Sequence, residues 1–349
     1  MLLNLVKIFL PATISFIFGI LITPIASHYF YKLKMWKKHP RIESATSDNF
    51  KKIYNGEGEL NTPRVGGIII WVSALATTLI FYLVSIISPS DTTLKLNFLS
   101  RSQTLIPFFT LFLGSLIGLL DDVLQIYGNG KISHDANFWP KVKAALVSAL
   151  SFFIAIWFFY KLGMHAIHIP WSGTLELGLF FIPFFIIVTL ATFSGGVIDG
   201  LDGLSGGILA SIFGAYSVIA FTHNQIDLAA FSGVITGAIL AFLWFNIPPA
   251  RFYMGETGIM GLTVTLATLA FLSDSVLILP VVAMPLVISS LSVILQLGSK
   301  RFFGKKLFLV APIHHHFEAV GWPKTKVTMR FWILSVVFAI IGIILAAIS

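Results

Sequence analysis

Two carboxylates, Asp199 and Asp202, stand in the stretch Val197-Ile-Asp-Gly-Leu-Asp-Gly-Leu-Ser-Gly-Gly207, and the chain on either side is apolar for long distances. An acid at or inside a bilayer is costly, so such residues point to a site. Their i, i+3 spacing places both on one face of a helical turn. The glycines around them let the backbone come close to a ligand. A second acidic pair, Asp121 and Asp122, closes Gly118-Leu-Leu-Asp-Asp122. Magnesium takes oxygen ligands, often one or two carboxylates plus substrate phosphates. Adjacent acids on a helix point in different directions, so one can bind metal while the other acts on a substrate. Lys143, with Lys141, follows this pair. Phe242-Leu-Trp-Phe-Asn-Ile-Pro-Pro-Ala-Arg-Phe-Tyr-Met-Gly-Glu-Thr-Gly258 adds Asn246, an amide able to bond a base or phosphate, and a further acid, Glu256.

Ala311-Pro-Ile-His-His-His-Phe-Glu-Ala-Val-Gly-Trp-Pro323 carries three consecutive histidines, His314, His315 and His316. Neighbouring side chains converge poorly on one tetrahedral zinc, whereas imidazoles can donate to a diphosphate. Each group also has a plain structural reading: a solvated helix end for Asp121 and Asp122, helix-capping aspartates for Asp199 and Asp202, a helix-ending amide before Pro248-Pro249 for Asn246. Lys143 fits a lysine snorkelling at the interface, and Asn61-Thr-Pro-Arg-Val-Gly-Gly67 fits a tight turn.

The elements that must position these residues are membrane helices. Of 349 residues, 56% are hydrophobic and 11% charged, against roughly a quarter charged in soluble domains. The expected fold class is therefore an all-α polytopic integral membrane protein, residues 1–349 forming a single membrane-embedded domain. Cysteine is absent, which excludes disulfides, thiolate nucleophiles and cysteine metal sites. The net charge of +8 is read as loop lysines and arginines facing the cytoplasm, with no nucleic-acid partner. The N-terminus lacks a small-residue cleavage site and runs into a full apolar segment, so it reads as a retained first helix.

A spanning helix needs about 20 apolar residues. Ten segments qualify: 4–24, 66–88, 103–120, 143–160, 177–196, 206–222, 229–247, 258–273, 276–297 and 329–348. The eighth and ninth are parted by the turn Ser273-Asp274-Ser275. The loops 25–65, 121–142, 197–205, 248–257 and 298–328 hold most of the Lys and Arg, including Lys32, Lys34, Lys37, Lys38, Arg41, Lys51, Lys52, Lys300, Arg301, Lys305 and Lys306. The opposite side holds little beyond Lys95, Arg101 and Lys161. These loops are thus expected in the cytoplasm and both termini outside. The acids and histidines all fall on the cytoplasmic side of a topology derived from basic residues alone. Scattered structural residues would divide between the two sides. Acids suited to magnesium beside a basic rim suggest phosphoryl transfer to a lipid phosphate. A non-catalytic transporter or lipid-binding protein is the alternative, but transporters favour midplane ionisable groups and internal repeats, and neither is evident.

Ala311-Pro-Ile-His-His-His-Phe-Glu, with Gly321-Trp-Pro323 and Arg330-Phe-Trp-Ile333, resembles the signature of the bacterial phospho-N-acetylmuramoyl-pentapeptide-transferases, within the polyprenyl-phosphate N-acetylhexosamine-1-phosphate transferase superfamily. Leu119-Leu-Asp-Asp122, Asp199-Gly-Leu-Asp-Gly-Leu204 and Phe242-Leu-Trp-Phe-Asn246 with Phe252-Tyr-Met-Gly255 are similar to further family motifs, in the family's order. Thr62-Pro63 with Gly66-Gly67 is similar to its N-terminal motif, and the resemblance covers nearly the whole chain.

The resemblance implies transfer of phospho-MurNAc-pentapeptide from UDP-MurNAc-pentapeptide to undecaprenyl phosphate. The products are lipid I and UMP, and the reaction is Mg²⁺-dependent, at the bacterial cytoplasmic (inner) membrane, in a family whose members are often homodimers. UDP-GlcNAc is the alternative donor. It implies Asp121, Asp122, Glu256 and His314 as catalytic residues, and Lys143, Asp199, Asp202, Asn246, His315 and His316 as substrate-binding residues. Glu256, Asp199 and Asp122 are the implied metal ligands. Direct attack by the lipid phosphate and a two-step route through an acyl phosphate both remain open. The chain also departs from the pattern. Glu256 stands where the family usually has Asp, Ile259 where it has Ser, and Gly196 where it has Asn. Asn61 and Arg64-Val65 replace a Gly and a Thr-Met pair.

Overall fold

The computed structural model describes residues 2–36, 61–128 and 139–349. Lys37, Lys38, Arg41, Lys51 and Lys52, used above for orientation, lie outside the described residues.

Thirteen α-helices are described: α1 Leu2–Lys32, α2 Gly67–Ile87, α3 Asp91–Leu96, α4 Leu105–Tyr127, α5 Trp139–Lys161, α6 Phe181–Ser194, α7 Leu204–Thr222, α8 Ile226–Asn246, α9 Gly255–Leu272, α10 Leu279–Val282, α11 Met284–Phe303, α12 Ile313–Ala319 and α13 Lys324–Ile348. One-turn 3-10 segments, Gly178–Phe180 and Gly195–Ile198, flank α6. Among the described residues ten helical stretches are long and apolar enough to cross a membrane, the ten expected segments with shifted ends.

Burial follows sequence period. On α13 the buried residues are Val327, Thr328, Phe331, Ser335, Ala339, Gly342 and Ala346, one stripe at three- and four-residue spacing. The aliphatic side chains between them, such as Ile333 and Ile340, are exposed, as a lipid-facing surface requires. The stripe on α1 is Ile8, Pro11, Ser15, Gly19, Thr23 and Phe30. Small residues there let backbones approach closely: a Cβ on Gly237 of α8 would stand 2.1 Å from the Ala12 carbonyl oxygen of α1. Thr23 Oγ1 donates to its own helix at Gly19 O (2.6 Å) and Ser335 Oγ to Ile208 O of α7 (3.3 Å), which satisfies these hydroxyls without water. At the centre stands α9, with every residue but Glu256 buried; α4, α2 and α6 pack against it.

Three features differ from expectation. Residues 161–176 form no plain loop: β1 (Ala166–Ile169) pairs antiparallel with β2 (Gly173–Glu176), with Ile167 opposite Leu175. The segment expected at 276–297 is divided into α10 and α11 at Ala283, with Pro280 and Pro285 near the N-termini of the two pieces, where a ring without an N–H is tolerated. α1 runs through Pro24 to Lys32, beyond the expected end at residue 24. The turn expected at Ser273-Asp274-Ser275 is present between α9 and α10.

Candidate active site

The C-terminal end of α4, the N-terminal end of α5, the 3-10 turn after α6, the starts of α7 and α9, the end of α8, and α12 gather at one end of the bundle. A cavity of roughly 490 Å³ opens there, lined among others by Arg64, Lys143, Gly196, Asp199, Glu256, Ile259 and His315. That volume falls within the usual range for small-molecule sites.

Lys143 lies between two acids. Its Nζ stands 2.6 Å from Glu256 Oε1 and 3.2 Å from Asp121 Oδ2, so one cation from α5 joins α4 to α9. Asp121 also accepts from Gln125 Nε2 at 2.8 Å and from the Trp139 indole N–H. These donors fix the carboxylate while Lys143 keeps its head at the cavity. Asp199 Oδ1 accepts from the Ser205 hydroxyl at 2.7 Å, which ties the turn after α6 to the first residues of α7.

Asp122 has a different role from its neighbour. Its two oxygens accept from the backbone N–H groups of Glu256 (3.1 Å) and Thr257 (2.9 Å). It therefore caps the N-terminus of α9 from another helix, at the positive end of the helix dipole, and is 1% exposed. Gly255 makes this approach possible. Its φ is +71°, and a Cβ there would lie 1.8 Å from Arg64 O and 2.6 Å from Asp122 Oδ2, so no other residue fits. The expected metal set of Glu256, Asp199 and Asp122 is accordingly not gathered: Asp122 points at backbone, and the other two face the cavity. Among the described residues no group of three His, Asp or Glu side chains is arranged to hold a metal ion.

Asn246 is also turned to protein. Its Oδ1 accepts from Gly203 N–H at 3.0 Å and its Nδ2 donates to Phe252 O at 2.8 Å, so it ties together the loops before α7 and α9. Asp202 Oδ2 accepts from Ala250 N–H at 3.2 Å, and neither side chain lines the cavity. Asp202 does not cap a helix, since α7 begins after Gly203 with no side-chain cap; it and Asn246 both hold loop backbone.

The histidines divide by direction, because successive residues of a helix point about 100° apart. His315 lines the cavity, and its Nδ1 meets Glu318 Oε2 at 2.5 Å, which leaves Nε2 toward Gly200 and the cavity. His314 was expected to lead the triplet, but it is fully buried. Burial, and then the charge His315 can carry beside it, hold its imidazole well below the ordinary range, so it is neutral at physiological pH. A Cβ on Gly200 would stand 2.6 Å from His314 Nε2 and 2.9 Å from His315 Nε2, so both rings press on the loop carrying Asp199. His316 turns away: its Nδ1 accepts from Leu309 N–H at 3.2 Å. α12 is docked on α11 through Ile313 N–H to Ser292 Oγ at 2.9 Å, with Gln296 Oε1 accepting from Leu307 and Phe308.

Sequence reasoning passed over Arg64, which is 7% exposed and lines the cavity, and over Glu318 and Trp139. The i, i+3 spacing of His315 and Glu318 was the readable signal for one of them. Arg64 is placed by a ladder between distant segments: Gly66 and Gly67 donate to Tyr253 O and Met254 O at 2.9 and 2.8 Å, and Tyr253 donates back to Pro63 O at 2.8 Å.

The bundle and its cavity define a multi-pass membrane protein with a polar, charged site at one end. The family described as Glycosyl transferase family 4 matches residues 104–274. Along nearly the whole chain it is similar to phospho-N-acetylmuramoyl-pentapeptide-transferases. That of Geobacillus thermodenitrificans is 33% identical over 96% of this chain and 97% of its own. The one from Clostridium perfringens is 34% identical over 96% of each chain, and that of Bacillus subtilis 32% over 94% of each. The chain belongs to the phospho-N-acetylmuramoyl-pentapeptide-transferase family.

Proposed function

We propose that the chain transfers phospho-MurNAc-pentapeptide from UDP-MurNAc-pentapeptide to undecaprenyl phosphate, giving lipid I and UMP for peptidoglycan synthesis. One observation supports this most: Lys143 joins Asp121 and Glu256 on the wall of a cavity that also presents Asp199, Arg64 and His315. Phosphoryl transfer is almost entirely positioning and charge stabilisation. Cations for phosphates beside carboxylates for a divalent ion are the parts it needs.

In this reading Lys143 and Arg64 hold phosphate oxygens. Asp121, fixed by Trp139 and Gln125, orients the acceptor lipid phosphate. His315, set by Glu318, donates to the diphosphate or the sugar-peptide. Asp122, Asn246 and Asp202 hold the loops that carry these groups. The two carboxylates on the cavity, Glu256 and Asp199, are hard oxygen donors that suit Mg²⁺ and would hold it together with substrate phosphates. When bound, the ion neutralises charge on the diphosphate and the departing UMP. The cavity end of the bundle faces the cytoplasm of the bacterial inner membrane, and both termini lie outside.

A donor swap tests the reading. Purified full-length protein in lipid, supplied with undecaprenyl phosphate and Mg²⁺, is expected to release UMP with UDP-MurNAc-pentapeptide and not with UDP-GlcNAc. Preference for UDP-GlcNAc would move the chain to the sister activity, and no UMP from either donor would point to a non-catalytic membrane protein.

A further inference from the structure

Two departures from the family pattern touch each other. Gly196 lies in the 3-10 turn Gly195–Ile198, three residues before Asp199. A Cβ built on it would stand 2.4 Å from Ile259 Cγ2. The next contact is Ile259 Cβ at 3.8 Å, and nothing else lies within 4 Å. A single methyl group therefore fills the space that any side chain at position 196 would need. Ile259 is 4% exposed and lines the cavity. It stands one helical turn after Glu256, on the same face of α9. The contact thus sits directly between the segments that carry the two cavity carboxylates, Asp199 and Glu256. A β-branched side chain in a helix holds one strongly preferred rotamer, so this methyl is a stiff spacer.

We propose that Gly196 and Ile259 act as one size-matched pair of positioning residues, which sets the separation of Asp199 and Glu256 across the cavity. The third departure belongs to the same set. The wall behind the carboxylates is built from a methyl and a bare backbone, and Glu256 spans to Lys143 at 2.6 Å. The pair rests on the proposed transfer only in its effect on rate; the steric match stands without it.

The test is a double-mutant cycle of Gly196→Ala and Ile259→Ala in the full-length protein in lipid, read by kcat and KM for UMP release and by melting temperature. Gly196→Ala alone is expected to lower kcat by about 100-fold, the penalty of an ångström-scale misplacement, with KM changed little. Adding Ile259→Ala is expected to recover at least about tenfold of that, a non-additivity typical of residues in contact. Ile259→Val keeps the touching Cγ2 methyl and is expected to lose less activity than Ile259→Leu, which moves it. Glu256→Asp is expected to cost less in the Gly196→Ala/Ile259→Ala background than in the wild type. Additive effects on both melting temperature and kcat would overturn the pair, as would Leu outperforming Val. Melting shifts that couple while kcat stays additive would leave a packing contact and overturn the positioning role. A wild type that melts as a coupled pair but releases no UMP would overturn the transferase reading and, with it, the positioning role, leaving only the steric match.

Discussion

Lys143 carries one positive charge against two acids supplied by two other helices, and its side chain is 17% exposed at the cavity edge. Removing the charge takes from Asp121 and Glu256 the cation they share and removes a phosphate donor. Lys143→Gln is therefore expected to lower kcat for UMP release by about 100-fold or more, the usual cost of deleting one preorganised charge-stabilising donor. Lys143→Arg is expected to recover only part, because a planar fork does not replace a compact ammonium between two oxygens. Steady-state UMP assays check both, and full activity in Lys143→Gln would remove the residue from its role. At this scale the sequence was legible wherever a residue was costly where it stood. Asp121, Asp199 and Glu256 are acids in an apolar chain, and three histidines in a row cannot all be core. What could not be read was which member of each group faces the cavity. Asp122 and Asp121 are adjacent in sequence, but the partners of Asp122 lie at Glu256 and Thr257. That pairing depends on how closely α4 and α9 approach.

The approach of α4 to α9 is set by small residues. A Cβ on Gly118 would lie 2.1 Å from the Glu256 carbonyl oxygen, one on Gly261 would lie 2.0 Å from Ser115 Oγ, and one on Gly114 would lie 3.0 Å from Gly261 Cα. The obstructing atom at Gly118 is backbone, which cannot swing aside. Gly118→Ala must therefore push α9 away just where Asp122 caps it and Glu256 leaves it. It is expected to destabilise by about 2 kcal/mol, the middle of the overpacking range, and to depress activity further than that loss of stability explains. Gly298 of α11 is the control: a Cβ there meets nothing within 4 Å, so Gly298→Ala is expected to hold or slightly raise the melting temperature. Thermal melts in detergent, paired with UMP release, separate the two. Equal tolerance of both changes would contradict the tight α4–α9 contact. Element existence was legible because length and hydropathy alone define a span. Element ends were less so: α1 continues through Pro24, and the ninth segment breaks at Ala283, because neighbouring helices and local caps decide whether a proline ends a helix. The β1–β2 hairpin, four residues a strand, was too short for its alternation to stand out.

At the scale of the whole molecule, helix ends and the loops between them bring Lys143, Asp199, Glu256 and His315 to one end of the bundle, and the proposed reading puts that end in the cytoplasm. The chain itself offers a clean test of that assignment, since it contains no cysteine and any introduced thiol is the only one to label. Three exposed positions sample the two faces: Thr92 in α3, Ser172 in the turn between β1 and β2, and Lys305 in the segment after α11. Thr92→Cys and Ser172→Cys are expected to react with a membrane-impermeant maleimide in intact cells. Lys305→Cys, on the cavity side, is expected to react only after the membrane is opened. None of the three lines the cavity, so activity should persist and report that the labelled protein is folded. The reverse pattern would place the cavity outside, away from a cytoplasmic nucleotide-sugar. It would also break the link between the basic loops and the acids, because the same helix alternation puts Lys300, Arg301, Lys305 and Lys306 on the face that holds Asp121, Asp199 and Glu256.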